Sequence, residues 1–206
     1  MPVYEIRSAL ASVFDAISLI RGHYTIKVDP LSSKRVLHEY GFYYCDTLVE
    51  PHCARDRFVF HKDAAAGVTS RYSLDALIAI CHDAFRYGRF HRDFNLDPAG
   101  ADLRYISWLR DLDRTGNVLS LVYEEETAGF VAYSGGKLVL HALASEYRGR
   151  GLAKYLWSAA CKKLFDGGCR ELSSSVSAAN LPALNLYATL GFRMQNALDV
   201  YHKVVE

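Results

Sequence analysis

From residue 73 onward the apolar positions fall into a readable order. Ser73 is followed by Leu74, Leu77, Ile78, Cys81 and Phe85. That spacing of three and four predicts a helix with a serine hydroxyl at its N-cap. A polar segment, Arg86 to Gly100, leads to a second helix over roughly 101–112. Val118 to Tyr123, Gly129 to Tyr133 and Lys137 to Ala144 are short apolar runs that read as three strands, with Gly135-Gly136 as a hairpin signal. Leu152, Leu156, Ala160 and Leu164 stripe a third helix, which Gly167-Gly168 can end. Glu171 to Ser177 reads as a strand and 181–190 as a helix. The residues to about 205 supply one or two more strands.

The first 62 residues are less regular. Tyr24 to Val28 alternates like a strand, and Ser33 to Tyr40 reads as a short helix stopped by Gly41. Phe42 to Val49 and Arg57 to His61 suggest further strands. Segment 10–20 is apolar without a clear period. Lys62 to Ser70, KDAAAGVTS, reads as a linker. The expected division is a small N-terminal α/β domain over 1–70 and a larger domain over 71–206.

The densest chemical signal lies between Leu138 and Leu156, LVLHALASEYRGRGLAKYL. An apolar strand runs into Arg148-Gly149-Arg150-Gly151-Leu152-Ala153, and a helix starts there. A helix N-terminus presents unpaired N–H groups and a partial positive charge, and glycine lets an anion come close to the backbone. The segment has neither the Gly-Lys-Ser/Thr ending of a P-loop nor G-x-G-x-x-G.

The spacing Arg148-x-x-Gly151-x-Ala153 after a strand resembles the coenzyme A pyrophosphate loop of the GCN5-related N-acetyltransferases. A second segment, Asn180-Leu-Pro-Ala183-Leu-Asn-Leu-Tyr187-Ala-Thr-Leu-Gly191-Phe192, is similar to that superfamily's Asn-x-x-Ala-x-x-x-Tyr-x-x-x-Gly-Phe. The resemblance covers about residues 73–206. It implies an α/β fold, with a mixed, mostly antiparallel central sheet flanked by helices, and acetyl-CoA as cosubstrate. A narrower resemblance, in Ala84-Phe85-Arg-Tyr-Gly-Arg89-Phe90-His91-Arg92-Asp93 with Tyr105 and Trp108, is to TDP-fucosamine acetyltransferases. Those enzymes also carry a small N-terminal domain with a leucine-rich helix ending in Gly-Phe, as in Leu37-His-Glu-Tyr-Gly41-Phe42. It implies a nucleotide-linked amino sugar as acceptor. A protein or small-amine N-acetyltransferase, and an acyl-CoA-binding module without turnover, stay open.

The resemblance assigns coenzyme contacts to Leu143, Ala144, Ser145, Arg148, Gly149, Arg150, Gly151, Leu152, Ala153, Asn180, Ala183 and Tyr187. Tyr187 takes the general-acid position, since a phenol can protonate a developing thiolate. A buried core tyrosine is the alternative. Leu143 would give its N–H to the oxyanion. Asn180 precedes Leu181-Pro182, so an N-cap is equally consistent. Arg148 and Arg150 suit phosphate pairing or solvent. No glutamate stands in the strand before the loop, so His141 is the one candidate base there, against a purely structural histidine. A sugar amine, less basic than lysine, fits a site without a strong base. Arg89, His91 and Asp93 are the acceptor-loop candidates, with a solvated loop as the alternative.

Composition adds limits. With 24 basic and 23 acidic residues, net charge +1, an extended nucleic-acid surface is not expected. There is no run of eighteen apolar residues, and the first residues, Met1-Pro-Val-Tyr-Glu-Ile-Arg, lack a signal-peptide layout; a cytoplasmic location is the expectation. Five scattered cysteines form no C-x-x-C, so no metal site and no disulfide framework is expected. A homodimer is an open option.

Overall fold

The structure is a computed structural model that describes residues 1–206. The strands are β1 (Val3–Ile6), β2 (Gly22–Val28), β3 (Tyr43–Ala54), β4 (Ala66–Thr69), β5 (Val118–Tyr123), β6 (Glu126–Ser134), β7 (Lys137–Leu143), β8 (Glu171–Ser174), β9 (Val176–Ser177) and β10 (Arg193–Val205). The helices are α1 (Ala11–Ile17), α2 (Arg35–Glu39), α3 (Leu74–Ala84), α4 (Pro98–Arg114), α5 (Ala153–Asp166) and α6 (Leu181–Thr189). The strands join in one mixed sheet of order β1-β2-β10-β3-β8-β7-β6-β5-β4, with β9 also beside β3. Only β1/β2 and β7/β8 are parallel pairs.

Strand alternation, reversed in β7 by a bulge at Val139, divides the apolar residues between two faces. Phe130 of β6, with Leu140 and Ala142 of β7, packs under Leu77 and Cys81 of α3 and Leu109 of α4. Val131, Leu138 and Leu172 face the other way, toward Leu156, Trp157, Cys161 and Phe165 of α5 and Tyr187 of α6. The starts of α3 and α4 follow their caps. Ser73 accepts from the Ala76 N–H and Asp97 from the Ala99 N–H; proline occupies the first turn of α4. Gly191, after α6, has φ +87°, and a Cβ there would meet the Arg57 carbonyl oxygen at 2.3 Å, so only glycine fits this turn.

Residues 1–70 share this sheet, while a third small core forms around Phe14, Tyr24, Ile26, Leu37 and Phe42, with Tyr201 from β10. Two local readings change. Arg57 to His61 is not a strand: Arg55–Arg57 is a 3₁₀ turn, and the Val59 N–H goes to the Leu190 carbonyl at 3.0 Å. The expected linker contains β4, paired antiparallel with β5. Its Ala-Ala-Ala-Gly composition has no strand period, and the pairing is supplied by a distant partner. β3 continues through Pro51, whose register position is Ser174, the last residue of β8, just before the break at Ser175.

Candidate active site

The sheet opens at its middle. β7 and β8 pair only through Lys137↔Ser173 and Leu138↔Ser174. Beyond Leu138, β7 runs on to Leu143, while the other chain breaks at Ser175 and β9 pairs with β3 at Leu48 and Val49. The result is a wedge with β7 as one wall. The Ala144 N–H donates to the Ala128 carbonyl at 2.9 Å. Antiparallel parity then turns the backbone groups of Ala142 and Ala144 toward β6 and those of His141 and Leu143 into the wedge. The Leu143 carbonyl is taken by Arg148 Nε at 2.8 Å, and the Leu143 N–H faces the opening.

The loop at the wedge mouth begins with a 3₁₀ turn, Ser145–Tyr147, where Ser145 Oγ donates to Glu146. Gly149 and Gly151 follow with φ +71° and +73°. The N–H groups of Gly149, Arg150, Gly151, Leu152, Ala153 and Lys154 have no acceptor in the fold. The N-cap residue Leu152 also offers no side-chain cap. A Cβ at Gly149 or Gly151 would meet nothing within 4 Å, so the concave side is open. Unpaired N–H groups converging on a helix N-terminus form an anion cradle.

Arg148 does not reach into that cradle. Its guanidinium forks onto Asp83 at 2.8 and 3.1 Å, which ties the loop to the end of α3 and holds the Asp83 carboxyl below its ordinary pKa. Arg150 lies outside, over Tyr147 and against the Glu146 carbonyl. Asn180 is the N-cap of α6, its Oδ1 accepting from the Ala183 N–H at 3.2 Å. The partly exposed Ala183 sits in that capped first turn.

Tyr187 is fully buried, and its hydroxyl lies 2.8 Å from His141 Nε2. The Trp157 ring meets His141 edge-on at 5.4 Å, and Ser174 Oγ is 3.4 Å from the same nitrogen. Burial raises the Tyr187 phenol pKa and lowers that of His141 to about 4. At neutral pH the phenol keeps its proton and the imidazole is neutral.

The acceptor-loop candidates separate. Asp93 turns inward and is buried. Its carboxylate accepts from Tyr43 at 3.0 Å, the Asn95 N–H at 3.0 Å and His202 Nδ1 at 2.6 Å. It pins the loop to β3 and β10, so the expectation of a substrate contact gives way to an anchoring contact. His91 pairs with Asp102 at 2.8 Å and stacks on Tyr105. Arg92 reaches Asp46 at 2.8 Å. Arg89 alone of these keeps free donors, its guanidinium 4.6 Å from the Phe90 ring. Asp83, His23, His202 and Asp46 escaped the sequence reading because each is joined to the site by tertiary contacts and carries no local motif.

The family model of the acetyltransferase (GNAT) family matches residues 75–192. The chain is 34% identical over 67 residues to N-alpha-acetyltransferase MAK3 of Arabidopsis thaliana, covering 32% of this chain and 35% of that one. It is 33% identical over 66 residues to mycothiol acetyltransferase of Corynebacterium jeikeium, covering 32% of this chain and 19% of that one. The matches thus span about a third and a fifth of these relatives. The fold matches a GCN5-related N-acetyltransferase from Sphaerobacter thermophilus with TM-score 0.63 at 15% identity, over 90% of this chain and 61% of that one. No helix is long and apolar enough to cross a membrane. With its family match spanning the wedge, the cradle and Tyr187, the chain belongs to the acetyltransferase (GNAT) family.

Proposed function

We propose that the chain transfers the acetyl group of acetyl-CoA to a weakly basic primary amine, the amino group of a nucleotide-linked deoxy amino sugar. The observation that carries acetyl-CoA binding is the six unpaired N–H groups from Gly149 to Lys154 at the mouth of a split sheet. That cradle fits a pyrophosphate, and the β7 wall beside it fits an amide-bearing pantetheine arm. The amine attacks the thioester carbonyl, the Leu143 N–H stabilises the oxyanion, and the Tyr187 phenol gives its proton to the leaving thiolate. His141 Nε2 stands 2.8 Å from that phenol and orients it, and the proton the amine loses on forming the amide replaces the one the phenol has given up.

The wall of the wedge carries no carboxylate, and His141 is too weak a base to deprotonate a lysine-like ammonium. The acceptor therefore arrives largely neutral, as an amino-sugar amine does. Arg89 is the candidate contact to its phosphates. A second reading follows from the same point. A protein α-amine has a reference pKa of about 7.7–8.0 and meets the same condition, and one curated relative is an N-alpha-acetyltransferase.

A thiol-release assay with acetyl-CoA and a panel of nucleotide amino sugars, free amino sugars and peptides tests both. Nucleotide-sugar turnover, with a raised acceptor KM and unchanged acetyl-CoA binding in Arg89→Ala, is the expected result. Peptide turnover alone would move the acceptor to the second reading. No thiol release with any amine, despite coenzyme binding, would overturn acetyl transfer itself.

A further inference from the structure

Four arginines of this chain are partly buried: Arg89, Arg92, Arg104 and Arg148. Arg92 pairs with Asp46 and Arg148 with Asp83. Arg89 and Arg104 pair with no carboxylate. Instead both guanidiniums lie against the Phe90 ring, Arg104 at 3.9 Å and Arg89 at 4.6 Å. An aromatic face attracts a cation but accepts no ordinary N–H···O bond, so the guanidinium forks are held without acceptors.

Arg104 lines a cavity of about 290 Å³ between α4 and the β1–β2 edge. His23 lines the same cavity. It is 1% exposed, and neither ring nitrogen has a hydrogen-bond partner; its Nε2 stands 3.6 Å from Asp93, outside hydrogen-bond range. The rest of the wall includes Val3, Phe90, Leu96 and Ala101. Two carboxylates stand near: Asp93 is buried and engaged by Tyr43, Asn95 and His202, while Asp97 borders the cavity on its exposed side as the N-cap of α4, accepting from the Ala99 N–H. Burial, and then the charge of Arg89 beside it, lower the Arg104 pKa against a smaller opposing pull from Asp93. β10, β3 and β8 lie between β2 and β7, and no β7 residue lines the cavity, so it does not reach the wedge wall; the Phe90 ring is what it shares with Arg89 of the acceptor loop.

We propose that this cavity is a second ligand site, for a small organic anion: a carboxylate or phosphate monoester with a short apolar body. The Arg104 fork would take two oxygens of the head group in parallel, and His23 would supply one further donor. The apolar wall excludes a bare, fully hydrated ion as the best occupant. The volume sits at the lower end of small-molecule pockets, which limits the ligand to a few carbons beyond its head group. The site stands whether or not the amino-sugar reading does, because its test reads binding and not turnover.

Titration calorimetry on the full chain, with butyrate, butyl phosphate, inorganic phosphate and butanol, tests it. Butyrate or butyl phosphate should bind saturably, one per chain, more tightly than inorganic phosphate, while butanol should not bind. Which of the two binds better identifies the head group. Arg104→Gln should weaken binding by about tenfold or more and leave acetyl-CoA affinity unchanged. In the unmodified sequence, the bound anion should protect Arg104 from phenylglyoxal, read by peptide mass, and leave exposed Arg193 reactive. Absence of saturable binding by either organic anion up to about 10 mM, equal binding by Arg104→Gln, or no protection of Arg104 would overturn the proposal.

Discussion

The Tyr187 hydroxyl and His141 Nε2 stand 2.8 Å apart, which joins helix α6 to the strand that walls the wedge. Tyr187 is also 0% exposed, as a purely packed core tyrosine would be. The two readings separate in Tyr187→Phe, which removes the hydroxyl and keeps the ring against Phe192. Under the acid role, kcat falls about 10²-fold or more while acetyl-CoA affinity stays nearly unchanged. Steady-state kinetics beside a coenzyme titration checks this. A wild-type kcat would leave Tyr187 as core.

His141 should make the fold acid-sensitive. Burial lowers its pKa from 6.5 to about 4, so between those values the unfolded chain binds a proton that the folded chain refuses. The stabilisation is complete above about pH 6.5 and is lost as the pH falls toward 4; its upper size is on the order of 3 kcal/mol. His202 is shifted the same way, so the measurement is a difference between proteins. Denaturant midpoints of the wild type and His141→Gln across that window should show a shallower acid limb in the variant. Parallel limbs would show that another group carries the effect.

The legible parts of this fold were those with a local cause. Ser73 caps its helix through its own hydroxyl, Gly41 ends α2 with φ +73°, and Arg148 to Ala153 joins a strand to a helix. What escaped depended on distant partners. Ala66–Thr69 becomes a strand only because β5 presents an edge to it. Asp93 read as a polar loop residue, yet Tyr43 and His202 draw it into the interior. Arg148 read as a phosphate ligand because the sequence cannot show that Asp83, 65 residues earlier, faces it. Residue type gave the charge correctly in both cases; the partner decided its use.

The Arg148–Asp83 fork should act on the cradle without touching the coenzyme. It sets where the loop leaves β7, and Nε fixes the Leu143 carbonyl as well. Arg148→Ala and Asp83→Ala should each weaken acetyl-CoA binding by roughly five- to tenfold, and the double variant should be no worse than either. Arg148→Lys keeps the charge but not the paired donors, so it should restore little. Wild-type affinity in Asp83→Ala would show that the loop holds its shape alone.

Gly151 separates backbone strain from charge in the cradle. Its φ of +73° disfavours any side chain, yet a Cβ would meet nothing within 4 Å. Gly151→Ala therefore carries only the left-handed backbone penalty, about 1–2 kcal/mol of fold stability, with a small effect on binding. Gly151→Asp carries the same penalty and adds a negative charge beside the N–H groups of Leu152 and Ala153, where an anion is to sit. Acetyl-CoA affinity should fall about 100-fold or more in the aspartate variant and only a few-fold in the alanine variant. Part of the aspartate loss should shrink at high salt, because repulsion at an open surface loop is screened. Calorimetric titration of both variants at two ionic strengths measures each component. Equal, salt-independent losses in the two would assign the effect to the backbone and remove the support for a pyrophosphate at this loop.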